Sequence, residues 1–181
     1  IAVLPLRYRI GAETVPDAPE MHLPAYHESM LRSRTLPQVL PPSAREFREV
    51  FTNLEREADS IVSLHVTTLP CNTFAPAQEA ASSLLGSARI EVIDTGFMGA
   101  ATGAIAVAAA RAARDGADGA QVIRLVRGLI PHTYTAFYVD SVATMRRSGA
   151  LRSGDPLLVA SNTARPLFIM EEGAITQQLR V

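Results

Sequence analysis

Asp59 to Gly86 reads DSIVSLHVTTLPCNTFAPAQEAASSLLG, and its parts have different periods. "DSIVSLHV" is a short apolar run, the pattern of a buried strand. "TTLPCNT" collects turn-forming residues and reads as a loop. "FAPAQEAASSLLG" is alanine-rich, with Pro76 in its first turn and Gly86 as its stop, so it reads as a helix. A strand that hands over to a helix is the repeating unit of an α/β protein, and its flanks decide whether the unit recurs.

On the C-terminal side it does. "RIEVIDT" reads as a strand, and "GAATGAIAVAAARAARDG" as a helix ending at Gly116. "ADGAQVIRLVRGLIP" is a further helix that stops before Pro131. "TYTAFYV" is a strand, "DSVATMRRSG" a short helix, and "ARPLFIMEEGAITQQLRV" a hairpin turning at Glu172-Gly173. On the N-terminal side, "SAREFREVFTNLEREA" opens with a capping box of Ser43 and Glu46. Phe47, Val50, Phe51 and Leu54 follow at helical spacing. "LPQVLPP", Leu36 to Pro42, reads as a rigid extended loop, and "LPAYHESMLRS" as a short helix with Pro24 in its first turn. "IAVLPLRYRI" is a strand that "GAETV" continues as a hairpin through Gly11. The alternation predicts an α/β fold: a mostly parallel sheet covered by helices on both faces.

The 181 residues are 48% hydrophobic, enough for one substantial core. A net charge of -1 gives no field to steer the chain toward nucleic acid or an anionic membrane. All 17 Lys+Arg residues are arginine, which excludes a Walker phosphate loop and a Schiff-base lysine. The longest apolar run, Gly96 to Ala110, is shorter than the ~20 residues of a spanning helix, so no membrane span is expected. One cysteine allows no intrachain disulfide, and a cytoplasmic location is the expectation. The opening has neither Met nor a signal-peptide pattern, so the chain is expected to start inside the natural protein.

In open α/β sheets ligands bind at the carboxyl ends of strands. Three junctions qualify: "HVTTLPCNT", "VIDTGFM" and "YVDSVAT". A helix start offers unpaired N–H groups and partial positive charge, so a carboxylate is a natural guest at Cys71-Asn72-Thr73. Asn72 or Thr73 could equally do no more than cap the helix. No His-plus-carboxylate set accompanies Cys71, and His65 reads as a packed residue. Asp94 and Asp140 end strands and suit capping. His22, His27, His65 and His132 lack zinc-ligand spacing, so no metal and no cofactor is expected. Arg146 and Arg147 read as solvated surface.

Taken in order, four stretches resemble the DegV family of bacterial fatty-acid-binding proteins. "LPQVLPPSAREF" sits where the family has a Thr-Ser-Gln-Pro-Ser loop before a helix. "SIVSLHVTTLPCNTFAPA" is similar to its strand, Ser-rich loop and Ser-Gly-Thr helix start. "VIDTGFMGAATG" is similar to its Val-Ile-Asp-Ser strand end and small-residue helix. "FYVDSVATMRRSGAL", followed by "RPLFIMEEGAI", resembles its Leu-Arg-Arg-Gly-Gly-Arg-Ile segment and hairpin. The resemblance implies one fatty acid held between two α/β domains. It implies a carboxylate met by hydroxyls of the Thr-Ser loop and the helix start, no catalysis, and a separate fatty acid kinase as a partner of some members.

Carried onto this chain, the resemblance implies ligand contacts at Thr67, Thr68, Cys71, Asn72 and Thr73, at Val39 and Leu40, and at Asp94. The head-group positions depart from the family. Val39-Leu40 replace Thr-Ser, Cys71 and Asn72 replace Ser and Gly, and Ala150 replaces Arg. The family's opening strand and most of its second domain lie outside the chain. The expected division is therefore a first domain over 1–147 and a partial second domain over 148–181. Val39, Leu40, Leu69, Phe97 and Met98 either line an acyl tunnel or pack as ordinary core. Two other functions fit the scaffold: an enzyme using Cys71 or Asp94 on a small substrate, or a degenerate interaction module. Oligomeric state is left open.

Overall fold

A computed structural model of the chain describes residues 1–17, 23–33, 35–67, 71–84, 86, 88–139, 166–171 and 173–180. Strands β1 (Arg7–Ile10) and β2 (Glu13–Pro16) form the expected hairpin. Its turn passes through Gly11 at φ +60°, a conformation that glycine adopts without a Cβ penalty. Helix α1 (Leu23–Arg32) follows. Strand β3 (Gln38–Leu40) then pairs antiparallel with the other edge of β1. This corrects the reading of Leu36 to Pro42 as a loop. Pro37, Pro41 and Pro42 flank the pairing residues and hold them extended, while Gln38–Leu40 keep their own N–H groups for the ladder.

Helix α2 (Ala44–Leu54) begins with the expected capping box. Its Glu46 carboxylate also accepts from Arg7 Nη1 at 2.8 Å, tying β1 to the start of the helix. The core unit comes next. Strand β4 (Ser60–His65) leads through α3 (Phe74–Ser83) to β5 (Arg89–Asp94), paired in parallel with β4. Alternate residues face opposite sides. Ile61, Ile90 and Val92 pack with Phe47, Phe51, Ala77 and Ala80 of α2 and α3. Val62, Leu64 and Ile93 pack with α4 (Ala100–Arg114) and α5 (Gly119–Leu129) through Ile105, Val122 and Val126. The parallel pair is thus covered on both faces, as the sequence predicts. A phenylalanine buried as fully as Phe51, 2% exposed, or Phe97, 0% exposed, contributes about 2–3 kcal/mol.

A 3₁₀ turn at Ile130–His132 leads into β6 (Thr135–Tyr138). β6 pairs antiparallel with β7 (Pro166–Glu171), which in turn pairs with β8 (Ala174–Arg180). The α/β reading holds, but among the described residues only β4 and β5 are parallel, so the expected mostly parallel sheet is narrower. Connection length is the reason. The turns at Gly11 and Gly173 are too short for anything but antiparallel neighbours, whereas α3 supplies a full crossover. Helix α3 also ends at Ser83 rather than at Gly86, because Leu84 is already extended. The helix expected over 140–149 lies outside the described residues. No helix among the described residues is long and apolar enough to cross a membrane.

Candidate functional site

The loops after β4 and β5 are bonded to each other before they bond to anything else. His65 and Asp94 are register partners at the strand ends. Thr95 gives both its N–H and its hydroxyl to the His65 carbonyl, at 3.0 and 2.9 Å. Thr67 N–H donates to the Phe97 carbonyl at 2.7 Å. Asp94 Oδ1 accepts from Gly96 N–H at 2.8 Å, so this carboxylate shapes the turn. The turn of the β7–β8 hairpin sits on top. Gly173 N–H donates to the Gly96 carbonyl at 3.0 Å. A Cβ placed on Gly173 would lie 3.6 Å from Thr67 Oγ1. Thr67 is therefore buried between the end of β4 and the hairpin.

The start of α3 is built differently from that of a self-capped helix. Asn72 is exposed, and its Oδ1 accepts from Ala75 N–H at 3.0 Å, so Asn72 performs the capping that was one of its two readings. Pro76 has no N–H to offer. Thr73 makes no cap with its side chain. Its buried hydroxyl turns inward to His65 Nδ1 at 3.0 Å, while Ser63 Oγ meets His65 Nε2 at 2.9 Å. The imidazole is wedged edge-on against Phe47 and Phe74. Burial lowers its pKa to about 4, so the ring is neutral near pH 7.

Cys71 is buried, and burial pushes its pKa up, so it is held as the thiol. Burial is the first cause of the Tyr8 pKa being raised to about 12, followed by the hydrogen bond to Asp17. Val39 pairs with Tyr8 and Leu40 with Arg7. Opposed residues share a face, so Val39 lies on the Tyr8 face and Leu40 on the other. Phe97 is fully buried in the core, with Met98 packed against the same cluster. Thr68, Leu69, Asp140 and Ala150 fall outside the described residues.

Sequence reasoning placed His65 in the packing and missed the Ser63–His65–Thr73 chain. The available signal was the strand face Ile61, Ser63, His65. Two polar side chains aimed into a core require partners. Beside this chain, along the edge of β4 away from β5, runs a cavity of about 540 Å³. Phe47, Phe51, Ala109 and Val122 form apolar walls, and Ser63, His65 and Thr73 are polar members of the lining. Among the described residues no group of three or more His, Cys, Asp or Glu could hold a metal ion.

The sequence model of the family described as "Uncharacterised protein, DegV family COG1307" matches residues 1–181. A DegV domain-containing protein of Streptomyces coelicolor is 27% identical over 176 residues, covering 97% of this chain and 62% of the relative. The chain thus spans less than two thirds of that relative. A fatty acid binding DegV family protein of Streptococcus agalactiae superposes with a TM-score of 0.88 at 20% identity, covering 99% of this chain and 64% of that one. The fatty acid kinase B3 protein of Streptococcus pneumoniae, loaded with linoleic acid, gives 0.83 at 16% identity over 98% of this chain and 63% of its own. At these identities the structures speak to fold.

Proposed function

The chain belongs to the DegV family, and on that premise we propose that it is a lipid-binding protein holding a fatty acid. Its carboxylate lies near the Cys71–Asn72–Thr73 helix start, and its acyl chain between the α/β unit and the partial second domain of residues 148–181. The observation that carries this reading is the Thr73 hydroxyl, buried at a helix start and drawn away from capping by His65. Asn72 consumes the Ala75 N–H and Pro76 lacks one, so the Phe74 N–H and the Thr73 hydroxyl are the donors left for an anion.

The chain acts by binding and not by catalysis. Its one thiol is held protonated by burial, the Asp94 carboxylate is spent on a turn, and both nitrogens of His65 are engaged. The likeness to the streptococcal fatty acid kinase B3 protein supports a separate kinase subunit as the partner that receives the fatty acid, and the single cysteine fits a cytoplasmic location. Native mass spectrometry after mild purification tests the reading. A co-purified mass of a fatty acid is expected; a bound mass that is not a lipid would sink it.

A further inference from the structure

We infer that His65 is a positioning residue for the bound anion, its Nδ1–H fixing the Thr73 hydroxyl as a donor; this rests on the fatty-acid reading above. The geometry is a three-member chain: Ser63 Oγ to Nε2 at 2.9 Å and Nδ1 to Thr73 Oγ1 at 3.0 Å. A neutral imidazole carries one N–H, so one of its two hydroxyl partners donates to it and the other accepts from it. With the proton on Nδ1, Ser63 donates to Nε2, Thr73 accepts, and the Thr73 proton is free to point at a carboxylate oxygen. With the proton on Nε2, Thr73 spends its proton on Nδ1 and turns only lone pairs outward, which a carboxylate repels. An anion at the start of α3 therefore selects the first arrangement.

The ring has no freedom to evade that choice. His65 is 4% exposed, and its centroid lies 5.4 Å from Phe47 and 6.3 Å from Phe74, both edge-on. Phe74 follows Thr73 directly, so the residue that clamps the imidazole also carries the free N–H of the helix start. Its depressed basicity keeps the ring neutral, which preserves the either-or logic of the two nitrogens. Ser63 and His65 sit two apart on β4 and share a face by strand geometry, so the relay is anchored on a strand and not on a loop.

The test compares affinity for oleic acid with affinity for its methyl ester, on the full chain, with thermal melting to confirm folding. An asparagine amide falls near the position of Nδ1 and a glutamine amide near that of Nε2. The parent, His65→Asn and Thr73→Ser should prefer the free acid. His65→Gln and Thr73→Val should lose about tenfold of that preference. A merely structural role would penalise the two His65 variants alike, and equal behaviour overturns the inference. Should the His65 variants fail to fold, the half-buried Ser63→Ala removes the donor to Nε2 and should lower the preference several-fold; an unchanged preference there, or in Thr73→Val, overturns it too. A parent that binds neither probe overturns the fatty-acid reading and this inference together, whereas a parent that binds both equally overturns this one alone.

Discussion

The starts of α2 and α3 solve one problem in opposite ways. At α2, Ser43 and Glu46 bond each other's backbone, and Arg7 joins the Glu46 carboxylate from β1. At α3, an exposed Asn72 takes one N–H, proline removes another, and Thr73 faces inward to a buried histidine. The first start satisfies itself and only holds the fold. The second caps itself from an exposed side chain and ties its threonine back to the sheet, and it is there that we propose the carboxylate binds.

The largest expected effect breaks both starts at once. Phe51, 2% exposed, packs α2 against α3 in the cluster that holds Ala77 and Ala80. Phe51→Ala should cost about 3–5 kcal/mol in urea unfolding. A loss under half of that would mean that the two helices are not braced through this ring.

Acid should separate the starts. Burial lowers the His65 pKa from 6.5 to about 4, so between these values the unfolded chain binds more protons and stability falls as pH drops. Hydrogen bonds from Ser43, then Arg7, lower Glu46 from 4.5 to about 2, so its contribution is complete above 4.5 and is lost as pH falls through 2. Melting curves of His65→Asn should flatten the upper window and those of Glu46→Gln the lower one. If either variant flattens both, the two starts are coupled.

Asn72→Ala removes the α3 cap and should cost about 1 kcal/mol, read from the shift in urea midpoint at constant slope. No shift would show that the exposed cap is dispensable. The smallest effect concerns β3. Val39 shares a face with Tyr8, and Leu40 lies on the other. Val39→Thr should raise affinity for a fatty acid by about tenfold or less, at ~1 kcal/mol for one added hydroxyl, and Leu40→Ser should not. A gain from Leu40→Ser and none from Val39→Thr would reverse the assignment of faces.

The α2 start was legible in the sequence because a capping box is a spacing of three, and the hairpins at Gly11 and Gly173 because turn chemistry is local. The α3 start was only half legible. Its proline and its candidate caps are visible, but whether Thr73 turns outward to cap or inward to His65 depends on how the loop folds back on β4. The β3 ladder was hidden for a similar reason. Prolines that read as a rigid loop also suit a strand, and only the nearness of β1 decides between them. The strand-end rule for α/β sheets located the junctions and capping by Asn72 was one of the readings, while the inward turn of Thr73 and the Asp94 bond to Gly96 came from geometry.

The edge of β4 that faces away from β5 is the open side of the parallel pair. Among the described residues nothing pairs with it, and Ser60 to His65 contains neither proline nor a charged side chain. Such an edge takes a further strand, and all six residues of β4 line the cavity of about 540 Å³ beside it, so a strand added there would fill that cavity and complete the sheet.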